Sequence, residues 1–128
     1  MKKLLVIVAS ALLMTAVNVY AGDCTADAAK YCAGKSGAER MVCLRIQQRT
    51  GAMPMGQLSN KKCAEMIHAV VENIKKSCDK AKDRNGVCKD VKKGQGRIIT
   101  CYYQNMDKIT PKCQEAIKSA VGKVDASI

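Results

Sequence analysis

The eight cysteines are the most reactive side chains of this chain, and their spacing limits the kinds of site that they can form. No two of them form a C-x2-C pair, the local signature of thioredoxin-like redox sites, zinc ribbons and c-type haem attachment. His68 is the single histidine, so a catalytic triad or a histidine-based metal site lacks its parts. We expect His68 to be a half-buried helix residue beside Ile67. The sequence predicts a protein that is not an enzyme and has no cofactor.

Four residues form the one pattern that could hold a metal. Met53 and Met55 flank a proline in a turn, and Met66 and His68 follow near the start of a helix. Thioether sulfur and imidazole suit Cu(I), which exported proteins encounter. The alternative is that methionines fill gaps in a core that has no Trp and no Phe. Two interpretations of these residues therefore stay open: they are candidate copper ligands, or they pack in the core.

Residues 1–21 have the pattern of a cleaved secretory signal. Two lysines precede an apolar run at 4–17, which is too short to span a bilayer comfortably, and small residues lead to a cleavage site near Ala21. The mature chain would be a single helical domain at 22–128, located in the periplasm or secreted. All eight cysteines lie in this part, and an oxidising compartment allows them to pair.

Helical periodicity organises the mature chain around residues 59–82. This stretch is predicted to be one long helix with Ser59 or Asn60 as its cap, and its apolar face is Cys63, Ile67, Val70, Val71, Ile74 and Cys78. A similar spacing follows Thr110 and Pro111, before an end that should fray from Asp125. Further helices are predicted at 24–32, with Asp23 as cap, at 38–49 and at 97–107, with a helix end or restart near Gly86.

The fold predicted from these patterns is a small all-α domain of two disulfide-stapled cysteine-rich repeats, at 24–77 and 78–128. Its core of aliphatic residues is thin, and four bridges of about 2–4 kcal/mol each would stabilise it. Spacing alone leaves 105 possible pairings. If three short helices in each repeat pack up, down, up, the start of the first lies beside the start of the third. The pairings expected from that geometry are Cys24–Cys63, Cys32–Cys43, Cys78–Cys113 and Cys88–Cys101.

Positive charge is concentrated in one segment. The chain has 22 Lys and Arg against 11 Asp and Glu, a formal charge of +11. Such a segment creates a field that attracts anionic polymers or a membrane surface, although a solvated basic face is the commoner explanation. No specific nucleic-acid recognition is expected. The basic segment consists of Lys75, Lys76, Lys80, Lys82, Arg84, Lys89, Lys92, Lys93 and Arg97.

The spacing of one acidic residue and its neighbouring cysteines resembles a known repeat. Cys24, Asp27 and Cys32 form C-x2-D-x4-C, and the match continues through Gly34, Gly37, Cys43-Leu44 and Leu58-Ser59 shortly before Cys63. In this the chain resembles the cysteine-rich repeat family of the Golgi cysteine-rich fibroblast growth factor receptor, which has short bacterial secreted members. The second half departs from the pattern, since Asp83 is five residues after Cys78 and Tyr102 stands where the repeat has leucine. The resemblance implies an exported, helical, disulfide-bonded module and transfers no binding residues.

Three functions follow from these observations as hypotheses. The first is an exported, non-enzymatic cysteine-rich repeat protein with a binding or envelope-structural role and an unknown ligand. The second is a methionine-dependent copper-binding protein. The third is a cationic binder of anionic polymers or membrane surfaces, whose binding would weaken with salt.

Overall fold

The computed structural model describes residues 22–49 and 56–128. The predicted signal and the Met53-Pro54-Met55 turn lie outside the described residues. In the described part the chain forms helices and no strands, so the all-α prediction is confirmed. No helix in these two ranges is both long enough and apolar enough to cross a membrane. The elements are α1 (Thr25–Tyr31), α2 (Gly37–Arg49), α3 (Lys61–Ser77), a π-helix (Lys80–Val87), α4 (Arg97–Gln104) and α5 (Pro111–Ala126).

Helix α3 provides the centre of the core, as its periodicity predicts. Asn60 caps it by accepting hydrogen bonds from the backbone N–H groups of Lys62 and Cys63, at 2.9 and 3.2 Å. Its apolar face packs against α5 and α2. Fully buried residues from these three helices fill the interior: Met41, Leu44, Ile67, Val71, Ile74, Ile117 and Val124.

The prediction of one helix through residue 82 is wrong. Helix α3 ends at Ser77, and both Cys78 and Asp79 have extended backbone conformations, with ψ of 132° and 128°. The Cys78 sulfur is bonded to Cys113 at the start of α5, and the Asp79 side chain caps the following π-helix. That π-helix ends at Val87, one residue after Gly86, so the expected helix end near Gly86 is confirmed.

Four disulfides tie helix ends to neighbouring helices, and they are the four pairings expected from up-down-up packing. Cys24–Cys63 and Cys78–Cys113 each join the beginning of one segment to the first turn of a later helix. Within these long loops lie two shorter ones, which are closed by Cys32–Cys43 and Cys88–Cys101. All eight cysteines are therefore paired. The structure is that of a small disulfide-stabilised protein.

Two buried aspartates make matching contacts, one in each half. Asp27 accepts hydrogen bonds from the backbone N–H and the hydroxyl of Ser59, at 2.8 and 2.7 Å, and from the N–H of Asn60. Asp83 accepts from the N–H and hydroxyl of Thr110, also at 2.8 and 2.7 Å, and from the N–H of Asp79. Both side chains are almost completely removed from solvent. Each carboxylate thus fixes the turn that leads into a long helix.

The other helix ends differ slightly from the sequence predictions. Helix α1 has Cys24, not Asp23, at its cap position, and α4 ends at Gln104 rather than near residue 107. The C-terminus is not frayed: the Cys24 N–H donates to the Ser127 carbonyl at 3.0 Å, and Ser127 is buried. The segment at Cys24 and the C-terminal segment at Ser127 are therefore held together.

Replacing Asp83 by asparagine should lower the free energy of unfolding by roughly 1–3 kcal/mol at pH 7, because an amide nitrogen cannot accept the hydrogen bonds from Thr110 or Asp79. Urea unfolding followed by circular dichroism measures this change. Asp90→Asn removes an exposed carboxylate and is the matched control. Equal stabilities of the two variants would contradict the role assigned to Asp83.

The same pair of variants tests the pH dependence. Burial alone would raise the pKa of Asp83, but the hydrogen bonds from Thr110 and Asp79 outweigh it and hold the pKa below its ordinary value. A carboxyl with a lowered pKa in the folded state stabilises above its unfolded pKa of about 4, and this contribution disappears as the pH falls through the folded pKa. The stability difference between wild type and Asp83→Asn should therefore narrow below about pH 4.

Candidate anion-binding site

Five residues of the basic segment surround one cavity of about 460 Å³, which we call the cleft. They are joined there by Arg45 from α2. The other four residues of the segment, Lys76, Lys82, Lys89 and Lys92, are exposed but do not line it. The six basic residues of the cleft are Arg45, Lys75, Lys80, Arg84, Lys93 and Arg97.

The floor of the cleft is apolar. Val71 and Ile74 come from the buried face of α3, and Ile98, Ile99 and Tyr102 come from α4. Of these five side chains only Ile98 is half-buried, and the others belong to the core. Burial raises the pKa of Tyr102, and the charge of Asp83 adds to this effect. The cleft thus combines an apolar base with cationic walls.

Two arginines fix the backbone of the walls. Arg84 donates to the carbonyl oxygens of Cys88 and Val91, at 2.9 and 3.0 Å. Arg97 donates to those of Lys92 and Lys93, at 3.2 and 2.9 Å. These acceptors are neutral, so both guanidinium charges still contribute to the field in the cleft.

Arg45 is the cleft residue that the sequence interpretation missed. It lies outside the basic segment and is only 8% exposed. Its guanidinium donates to the Gln48 side chain at 2.8 Å, and Gln48 donates to the Ala64 carbonyl of α3 at 2.6 Å. The available signal was helical spacing, because Arg45 and Gln48 fall four and seven residues after Met41, on the inner face of α2.

Acidic residues beside the cleft offset part of this charge. Within the described ranges no Asp or Glu lines the cleft. Glu72 lies beside it and approaches Lys75 at 3.1 Å, and this hydrogen bond, together with the charge of Lys75, lowers the pKa of Glu72. Such a pair between partly exposed side chains leaves Lys75 accessible to solvent. Lys80 and Lys93 are exposed at the rim.

The described copper candidates are not brought together. Met66 is buried in the core, whereas His68, two residues later on α3, is exposed, so the expectation of a half-buried His68 is wrong. In the part of the chain that the structure describes, one group of side chains has metal-ligand spacing: Cys78, Asp83 and Cys113. The two sulfurs form a disulfide with each other, and the carboxylate accepts hydrogen bonds from Thr110 and Asp79. This group is therefore a structural brace.

The loop from Gly94 to Gly96 shapes one wall of the cleft. Gly94, Gln95 and Gly96 all have positive φ, at 101°, 53° and 66°. A Cβ atom on Gly96 would collide with the side chain of Val42 on α2. Glycine at this position therefore permits both the turn and the close approach of α4 to α2.

Gly96→Ala should lower the free energy of unfolding by about 1–3 kcal/mol. An alanine is strained at the positive φ of this position, and its methyl group would clash with Val42. Gly122→Ala is the matched control. Gly122 lies on the exposed side of α5, where an added methyl group would meet open space, so alanine should stabilise the helix by about 0.5–1 kcal/mol. Urea unfolding of both variants is the measurement. A neutral or stabilising effect at Gly96 would contradict the packing described.

Comparisons of the chain with family models, with curated proteins and with solved structures found no match.

Proposed function

We propose that the protein is an exported, non-enzymatic binding protein that captures anionic groups in the cleft. The observation that carries the proposal is the convergence of six basic side chains on one cavity that no described acidic residue lines. Convergent charge in a concave site of low dielectric constant focuses the electrostatic field and raises the local concentration of anions.

Export is supported by the use of all eight cysteines in disulfides, which persist in oxidising compartments. The signal at residues 1–21 and cleavage near Ala21 remain predictions from the sequence. A non-enzymatic role is supported by the pairing of every thiol and by the exposed position of the single histidine on α3.

We further infer that the two halves are copies of one cysteine-rich repeat, as the sequence resemblance implies. Supporting this are the matching nested disulfides and the matching aspartate contacts. Asp27 and Asp83 are each five residues before the second cysteine of their half. Of the two additional residues between Cys78 and Asp83, one moves the helix cap from the cysteine to Asp79 and the other is accommodated by the wider turn of the π-helix. Asp83 is then the counterpart of Asp27.

Charge reversal at two rim lysines tests the binding function. Lys80→Glu/Lys93→Glu should elute from immobilised heparin at a clearly lower salt concentration than wild type and should lose retention on vesicles that contain anionic lipid. The control is Lys118→Glu/Lys123→Glu, which makes the same change in net charge on the exposed face of α5.

The control has the same change in net charge, so the salt concentration at which it elutes gives the effect of net charge alone. This concentration should lie close to that of the wild type and clearly above that of Lys80→Glu/Lys93→Glu. Circular dichroism verifies that both variants are folded. Equal losses of retention in the two variants would show that only net charge matters, and the cleft would then not be the binding site.

A further inference from the structure

We propose that the natural ligand of the cleft is a small anionic amphiphile, with its charged headgroup at the lysine rim and its apolar tail on the floor. This inference rests on the proposed function and deepens it by naming the class of ligand. An anionic polymer or a bilayer surface would contact the rim alone. Only a ligand that enters the cavity can also contact the apolar floor.

Most of the charge and the apolar surface lie at different levels of the cleft, and Arg45 is the one buried cation among the six. Lys80 and Lys93 are exposed at the rim, whereas Val71, Ile74 and Tyr102 are each at most 5% exposed at the base. A ligand that satisfies both regions has a negative group at one end and an apolar body at the other. Inorganic anions would leave the floor uncovered, and neutral lipids would leave the rim without a partner.

The size and rigidity of the cleft also suit a small molecule. A volume of about 460 Å³ is typical of cavities that enclose such ligands. The walls are preformed, because Arg84 and Arg97 hold the surrounding backbone by two hydrogen bonds each, and the Cys88–Cys101 disulfide joins the π-helix to α4. Such a site binds a ligand with little loss of conformational freedom in the protein.

The charge of the cleft selects the sign of the headgroup. Six cations in and around one cavity repel a cationic amphiphile of the same length, even though its tail fits the floor equally well. A simple hydrophobic patch would not discriminate between the two. Headgroup sign and tail length are therefore independent variables in the test.

Isothermal titration calorimetry of the oxidised mature protein with alkyl phosphates, below their micelle concentrations, measures both variables. From hexyl to octyl to dodecyl phosphate, affinity should rise by up to about threefold to fourfold per added methylene until the floor is covered. Inorganic phosphate and dodecyltrimethylammonium should bind at least roughly a hundredfold more weakly than dodecyl phosphate. Equal affinities for dodecyl phosphate and inorganic phosphate, or for the two dodecyl compounds, would overturn the proposal.

A cavity-filling variant locates the binding. Ile98→Trp should weaken dodecyl phosphate binding at least about tenfold, because the indole occupies the space of the tail. Tyr103→Trp places the same indole on the exposed side of α4, outside the cleft, and should leave the affinity unchanged. Equal affinities of these two variants would overturn the assignment to the cleft. If Ile98→Trp does not fold, the chain-length series on the unmodified protein still decides the question.

The outcome also separates this inference from the function on which it rests. If wild type is retained on heparin through Lys80 and Lys93 but shows no dependence on alkyl length, the cleft binds anions and the amphiphile proposal fails. If neither heparin nor alkyl phosphate binding depends on those lysines, both proposals fail.

Discussion

The structure depends on the double attachment of each half to the start of a long helix, by a disulfide and by a buried carboxylate. Cys24 and Asp27 both hold the turn that begins α3, through Cys63 and Ser59. Cys78 and Asp83 hold the start of α5 in the same way, through Cys113 and Thr110. The core has no Trp or Phe, so the packing of large side chains does little to fix the positions of the helices. Disulfides and hydrogen bonds to carboxylates fix them instead. A desolvated carboxylate without these donors would be strongly destabilising.

This constraint also creates the cleft. The attachment of Cys78 to Cys113, and of the Asp79 backbone to Asp83, stops α3 at Ser77 and turns the chain into the π-helix. If α3 had continued to residue 82, the lysines would lie along the solvent-exposed face of one straight helix. The turn places them instead around the apolar ends of α3 and α4. The basic side chains therefore surround a cavity because the Cys78–Cys113 disulfide and the buried Asp83 carboxylate stop α3 at this point.

Much of this fold could be predicted from local patterns, and the failures have a common physical cause. The apolar period of α3 identifies the core helix, and the up-down-up packing expected of three short helices gives the pairings found in the structure. The break at Cys78 was missed because the apolar period continues through it, while the cysteine that binds Cys78, Cys113, lies 35 residues further along the chain. Arg45 was missed for the same reason, since its place in the cleft depends on how α2 packs. His68 was wrongly assigned because α3 leaves that face uncovered.

The central claim, that anions bind inside the cleft, is tested most directly by nuclear magnetic resonance on the oxidised, ¹⁵N-labelled protein during titration with dodecyl phosphate. We expect saturable shifts of backbone amide signals confined to the cleft, above all at Gly94, Gly96, Ile99 and Tyr102. Shifts of similar size at Lys118 and Lys123 on α5, growing without saturation, would contradict the claim, because they would show anions gathering over the whole basic surface.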